Sequence, residues 1–139
     1  MNVGSNQTQN QTVSNTLILP KINSSVLVVQ SDMLELILSG DKTLEMRSRR
    51  CCMEIDTPIF LQKSVKTGGT SGRISGYVLF DGLVEMKSEQ QFYRNKHKHR
   101  IEKPMGARKW GWKIKRAYKY EEELDVEVSG ETWKVVHKI

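Results

Sequence analysis

Hydrophobic residues fall in short blocks along this chain, and their spacing switches between the alternation of strands and the three-to-four repeat of a helix. Beyond Met1, residues up to Asn15 are almost wholly Asn, Gln, Ser, Thr, Gly and Val and carry no charge. Such a stretch buries too little apolar surface to offset its ordering entropy, so a disordered polar tail over 1–15 and one domain over 16–139 are expected. Leu17-Ile18-Leu19 predicts a short strand stopped by Pro20, and Val26 to Val29 predicts a buried one. Met33, Leu34, Ile37 and Leu38 recur at helical spacing. Ser31 or Asp32 stands at the cap, Glu35 follows Asp32 by three as in a capping box, and Gly40 ends the helix. From Lys42 to Arg47 the pattern alternates. On a strand, Leu44 and Met46 face the core and Glu45 and Arg47 face away, with Lys42 at the strand mouth.

Further strands are expected over Ile59 to Gln62 and Arg73 to Phe80, separated by a turn at Gly68-Gly69, with Val84 to Met86 extending the second beyond a bulge at Gly82. Ser88 to His97 reads as a polar helix anchored by Phe92 and Tyr93. Pro104 to Gly111 reads as a loop, and Trp112 to Tyr118 and Trp133 to Lys138 as closing strands. Many short strands with few helices define a mainly β, α+β chain, built as a small barrel or sandwich.

The chain has 139 residues, 37% hydrophobic and 27% charged. That suits one soluble domain whose core needs no disulfide or metal staple. Apolar runs are too short to span a bilayer and no tripartite signal is visible, so an intracellular protein (cytoplasmic or nuclear) with no membrane partner is expected, and a monomer. The Asn-Gln-Thr matches at Asn6 and Asn10 then read as chance. Cys51 and Cys52 are adjacent, and a disulfide between neighbours is strained; with three scattered histidines they make no metal site, and no cofactor is expected.

Net charge is +6, and its distribution is uneven. Basic and acidic residues balance from Met1 to Met86; Lys87 to Lys119 holds twelve basic residues against two acidic; Tyr120 to Ile139 is acidic. Phe92, Tyr93, Trp110, Trp112 and Tyr118 are interleaved with the basic run. A cationic segment bearing aromatic rings is the footprint of a phosphate-rich partner, RNA or a nucleotide.

The segment LELILSGDKTLEMRS resembles the opening of ASCH domains: a helix, a Gly turn, then Lys-Thr-x-Glu-x-Arg. GRISGYVLFDGLVEM is similar to the family's long glycine-bearing strand, FYRNKHKHRI to its small helix and basic stretch, and GWKIKRAYKYEEELDV to its Trp-containing strand. The resemblance runs from about Val26 to His137. It implies a PUA-like β-barrel flanked by short helices, holding RNA or a nucleotide in a cleft between barrel and helix. Some relatives resemble this chain and hydrolyse acetylated cytidine, with the Gly-turn Lys as key group, a Thr three residues on and a Glu on the later helix; others are ribonucleases. Here the Lys is Lys42, but Glu45 stands where the Thr is expected, and Glu89 is the acidic residue on the later helix.

Several residues carry candidate chemistry. Lys42, Glu45 and Arg47 are expected to edge one pocket, suited to a phosphate beside a base edge; Glu45 and Arg47 read equally as a surface ion pair. If the protein is an enzyme, Lys42 and Glu45 are the catalytic pair. Trp110 is the candidate stacking platform, while Trp112 and Trp133 read as core. Arg108, Lys109, Lys113, Lys115 and Lys98 are candidate phosphate contacts, and His99 joins them beside His97. A third reading is a protein–protein adaptor using the acidic Glu121-Glu122-Glu123.

Overall fold

In a computed structural model of the chain, residues 17–51, 54–64, 70–129 and 134–138 are described. The polar tail over 1–15, the turn at Gly68-Gly69 and Trp133 lie outside them. In order, the elements are β1 (Ser25–Gln30), α1 (Ser31–Ser39), β2 (Leu44–Arg47), β3 (Ile59–Ser64), β4 (Thr70–Glu85), α2 (Glu89–Arg94), α3 (Lys96–His99), β5 (Trp110–Asp125), β6 (Glu127–Ser129) and β7 (Lys134–Lys138).

These strands form one mixed sheet in the order β2-β5-β4-β3-β1-β7-β6, with β1 and β3 parallel and the other pairs antiparallel. Mainly β with short helices is therefore the architecture, but the sheet is open and not the closed barrel expected. Among the described residues its terminal strands, β2 and β6, do not pair. The long strands β4 and β5 supply the curvature: their register shifts at Ile74/Gly76, Leu79/Phe80 and Phe80/Gly82, and such bulges bend a strand and increase its twist. The Gly82 bulge falls where the sequence places it, within one continuous strand. Gly76 is required by close approach, because a Cβ there would lie 2.1 Å from the Tyr118 carbonyl oxygen.

Three apolar clusters result. The main one joins Leu27 and Val29 of β1, Leu34 and Ile37 of α1, Ile59 and Leu61 of β3, and Val78, Phe80 and Trp112 of β4 and β5. A second gathers Val26, Phe60, Ile74, Tyr77, Tyr120 and Val136. The third places Leu44 and Met46 against Met86 and Phe92, beneath α2 and α3. Gly111 makes room for this third cluster: a Cβ there would lie 2.9 Å from Leu44 and 3.0 Å from Val84.

The helix α1 buries the stripe expected of it and ends at Gly40, whose φ of 90° suits a residue without a Cβ. Its capping box does not form. The helix starts at Ser31 with Gln30 at the cap, so Asp32 lies inside the first turn and its carboxylate accepts from the Met33 N–H at 2.9 Å. Leu17-Ile18-Leu19 is not a strand either. Its backbone is held by side chains: Ile18 N–H donates to the Tyr77 hydroxyl at 3.1 Å, and the Tyr120 hydroxyl donates to the Ile18 carbonyl. The polar helix expected over Ser88 to His97 is split at Asn95 into α2 and α3; Ser88 caps α2, Phe92 is fully buried, and Tyr93 is exposed rather than an anchor.

Candidate functional site

The turn after α1 delivers Lys42 into the protein. Its N–H bonds to the Leu36 carbonyl at 2.9 Å, and Thr43 ties the following residue to both neighbours: its N–H donates to Lys98 O and its carbonyl accepts from Ile114 N–H. The Lys42 side chain is only 1% exposed. Its ammonium donates to Leu44 O at 2.9 Å and to His99 O at 2.6 Å, and lies 3.6 Å from Glu45 Oε1. Two of its three donors thus meet carbonyl oxygens, and the Glu45 carboxylate stands at ion-pair distance. Burial pushes the Lys42 pKa below its usual value; the Glu45 carboxylate opposes that shift and Arg47 adds to it.

Glu45 was expected to face away from the core, and the structure reverses this. It sits opposite Trp112 in the β2–β5 register, so it shares the face that carries the main cluster. Leu44 and Met46 face the smaller cluster under α2 and α3 instead. Both faces of β2 are covered, and two apolar residues choose the side where α2 and α3 bring partners. Glu45 is consequently buried, with Oε2 accepting from Arg47 Nε at 2.7 Å and Oε1 toward Lys42. Lys42 and Glu45 are buried and Arg47 is partly exposed, so the carboxylate belongs to a charge triad and not to a surface ion pair. Arg47 continues across the sheet opening: Nη2 donates to Val28 O of β1 at 3.2 Å, and its guanidinium carbon lies 5.9 Å from the Trp112 ring centre.

Beside that bridge lies an open cavity of about 730 Å³, in the size range of small-molecule sites. Lys42, Glu45, Arg47 and Arg108 line it, so four of the candidate residues share one hollow. Sequence reasoning missed Lys103, Asp32 and Ser48, which line it too, and the main chain of β1 at Val28. Lys103 stood in plain view within the basic run; the Val28 contribution has no sequence signal, because it depends on where β2 comes to rest. Arg108 is held by its own loop, donating to Pro104 O at 2.9 Å.

The other candidates lie elsewhere. Trp110 is half-buried against the main cluster with the Arg50 guanidinium 5.2 Å from its ring centre, and it does not wall the cavity. Trp112 is core, as expected, with its indole N–H on Arg49 O at 2.9 Å. His99 is fully buried and stacked on Phe92, ring centres 4.1 Å apart. Ile101 N–H donates to its Nδ1, so Nε2 carries the proton and donates to Phe92 O. Both ring nitrogens are occupied, and burial lowers the His99 pKa, so this histidine serves the fold rather than a solvent-side ligand. Lys98, Lys109, Lys113 and Lys115 are exposed. Part of the basic excess is met locally: Lys115 pairs with Asp56 at 3.0 Å and Lys109 with Glu85 at 3.9 Å.

No family model and no curated protein matches the chain. Solved structures do. A crystal structure of ASCH from Zymomonas mobilis superposes with a TM-score of 0.60 over 74% of this chain and 73% of that one, at 13% identity. Crystal structures of a Tyr-to-Phe and a Ser-to-Ala mutant of the Zymomonas mobilis protein give the same TM-score at 12% identity, over 74% and 77% of this chain and 76% and 77% of theirs. The chain therefore has an ASCH-like fold. Among the described residues, no helix is long and apolar enough to cross a membrane.

Proposed function

We propose that the chain is an RNA- or nucleotide-binding module of PUA-like, ASCH type that receives one nucleotide in the cavity beside the Arg47–Val28 bridge. The observation that carries this reading is the Glu45 carboxylate, buried between Lys42 and Arg47 on the wall of an accessible hollow whose other charged groups include Arg108 and Lys103. An anion-only site has no use for a carboxylate there; a base edge with donors does. The exposed Lys98, Lys109, Lys113 and Lys115 supply phosphate contacts along the backbone of a longer RNA, and their contribution falls as salt rises.

Binding of labelled single-stranded RNA across a salt series tests this. Affinity that declines steeply with salt, and a shallower decline in the Lys109→Ala plus Lys113→Ala double variant, is the expected result. RNA affinity indifferent to salt and to both lysines removes the basic-surface contribution. Arg47→Ala binding as tightly as the native chain removes the cavity.

A second, catalytic reading has one feature in its favour, the burial that lowers the Lys42 pKa. Against it, a neutral amine would turn its lone pair toward the Glu45 carboxylate while two carbonyls hold the N–H groups. Turnover of acetylated cytidine that disappears in a folded Lys42→Ala variant would promote that reading.

A further inference from the structure

The cavity wall combines hydrogen-bonding groups in an order that distinguishes the bases. Glu45 is an acceptor-only group with two oxygens. Arg47 stands next to it, and among the described residues two of its five N–H groups are used, one on Glu45 Oε2 and one on Val28 O. Each Glu45 oxygen already faces one cation, Oε2 on Arg47 and Oε1 toward Lys42, and keeps a second lone pair, so the wall offers a donor beside two acceptors. Half-buried Met33 and Ile101 line the same hollow and offer apolar surface to the faces of a flat ring.

From this we infer that the site prefers guanine, with Glu45 as the specificity-determining residue; the inference rests on the nucleotide-binding reading above. Guanine alone among the four bases places two donors side by side, N1–H and the N2 amine, next to an acceptor, O6. The two donors match the carboxylate and O6 matches the guanidinium. Adenine and cytosine each place one amine beside a ring-nitrogen acceptor, which a carboxylate repels. Uracil places one N–H between two carbonyls and is repelled on both sides. A site whose polar groups are built for one edge rejects analogues that leave those groups unpaired.

The test is an NMR titration of the native chain with GMP, AMP, CMP and UMP, together with IMP, which lacks the N2 amine, and 1-methyl-GMP, which lacks N1–H. Expected is GMP tighter than UMP by about tenfold or more, a margin of the size one paired base edge provides, with IMP between them and 1-methyl-GMP no better than UMP. In Glu45→Gln, which swaps one acceptor for a donor, the margin of GMP over IMP should vanish. If thermal unfolding shows that variant misfolded, the 1-methyl-GMP comparison on the native chain decides alone. Equal affinity for all four monophosphates overturns guanine preference and leaves nucleotide binding standing. Absence of binding by any of them overturns both.

Discussion

The guanidinium of Arg47 on β2 reaches the main-chain carbonyl of Val28 on β1 at 3.2 Å, joining two strands that are not neighbours in the sheet. One side-chain bond links the edge strand β2 to β1 without any strand pairing between them, and the cavity lies beside it. The bond also holds the Glu45 partner in place, since Nε and Nη2 belong to one rigid plane.

Arg47→Ala should therefore loosen this opening as well as the charge triad. Because the Arg47 side chain is a third exposed, solvent replaces part of what is lost. A stability loss of about 1–2 kcal/mol in urea unfolding is expected. A variant as stable as the native chain would show that the bridge contributes nothing.

Lys42→Ala should cost more, about 3–5 kcal/mol, because it leaves two buried carbonyls without a donor and Glu45 without one of its two cations. Lys42→Met retains the apolar stem but not the ammonium and should recover only a small part. If the methionine variant matches native stability, the ammonium is dispensable and packing alone explains the burial.

His99 makes stability depend on pH. Its folded pKa lies below the ordinary 6.5, so the unfolded chain binds the proton more readily. Its contribution is present above pH 6.5 and is lost as pH falls toward the folded value, where protonation removes the Nδ1 acceptor from Ile101 N–H. Lys96, His97 and Lys42 bear on the same ring with positive charge and act in the same direction. Unfolding midpoints measured from pH 7 down to pH 5 should fall, and fall less in His99→Gln. Parallel profiles for the two proteins would assign the slope to other groups.

Tyr77→Phe and Tyr120→Phe should each release the segment at Leu17 to Pro20, at about 1 kcal/mol apiece. Limited proteolysis reads this directly, through faster cleavage near Leu19. Unchanged cleavage in the double variant would mean that apolar contact, not the two hydroxyls, retains the segment.

Gly76→Ala drives a Cβ into the Tyr118 carbonyl across the β4–β5 pair. Backbone on both sides must move, so a loss of about 1–3 kcal/mol is expected in thermal unfolding. Gly40→Ala tests a different physical cause: its surroundings are open, and any loss there reports the φ of 90° alone.

Local chemistry was legible in the residues themselves. The α1 stripe, the Gly40 stop, the Gly82 bulge and the buried Phe92 follow from spacing, chain stiffness and side-chain volume, and four blocks in order pointed to the fold. The grouping of Lys42, Glu45 and Arg47 was readable as an expectation as well; that Arg108 lines the same hollow was not. Orientation was not. Alternation on β2 separates Leu44 and Met46 from Glu45 and Arg47, but a two-fold pattern carries no label for which side is the larger core. That was decided by α2 and α3, which brought Phe92 and Met86 to one face and left the carboxylate facing Trp112. Lys42 likewise owes its burial to a carbonyl 57 residues away, on His99. Such contacts form only when distant strands close on one another, and no stretch of neighbouring residues encodes them.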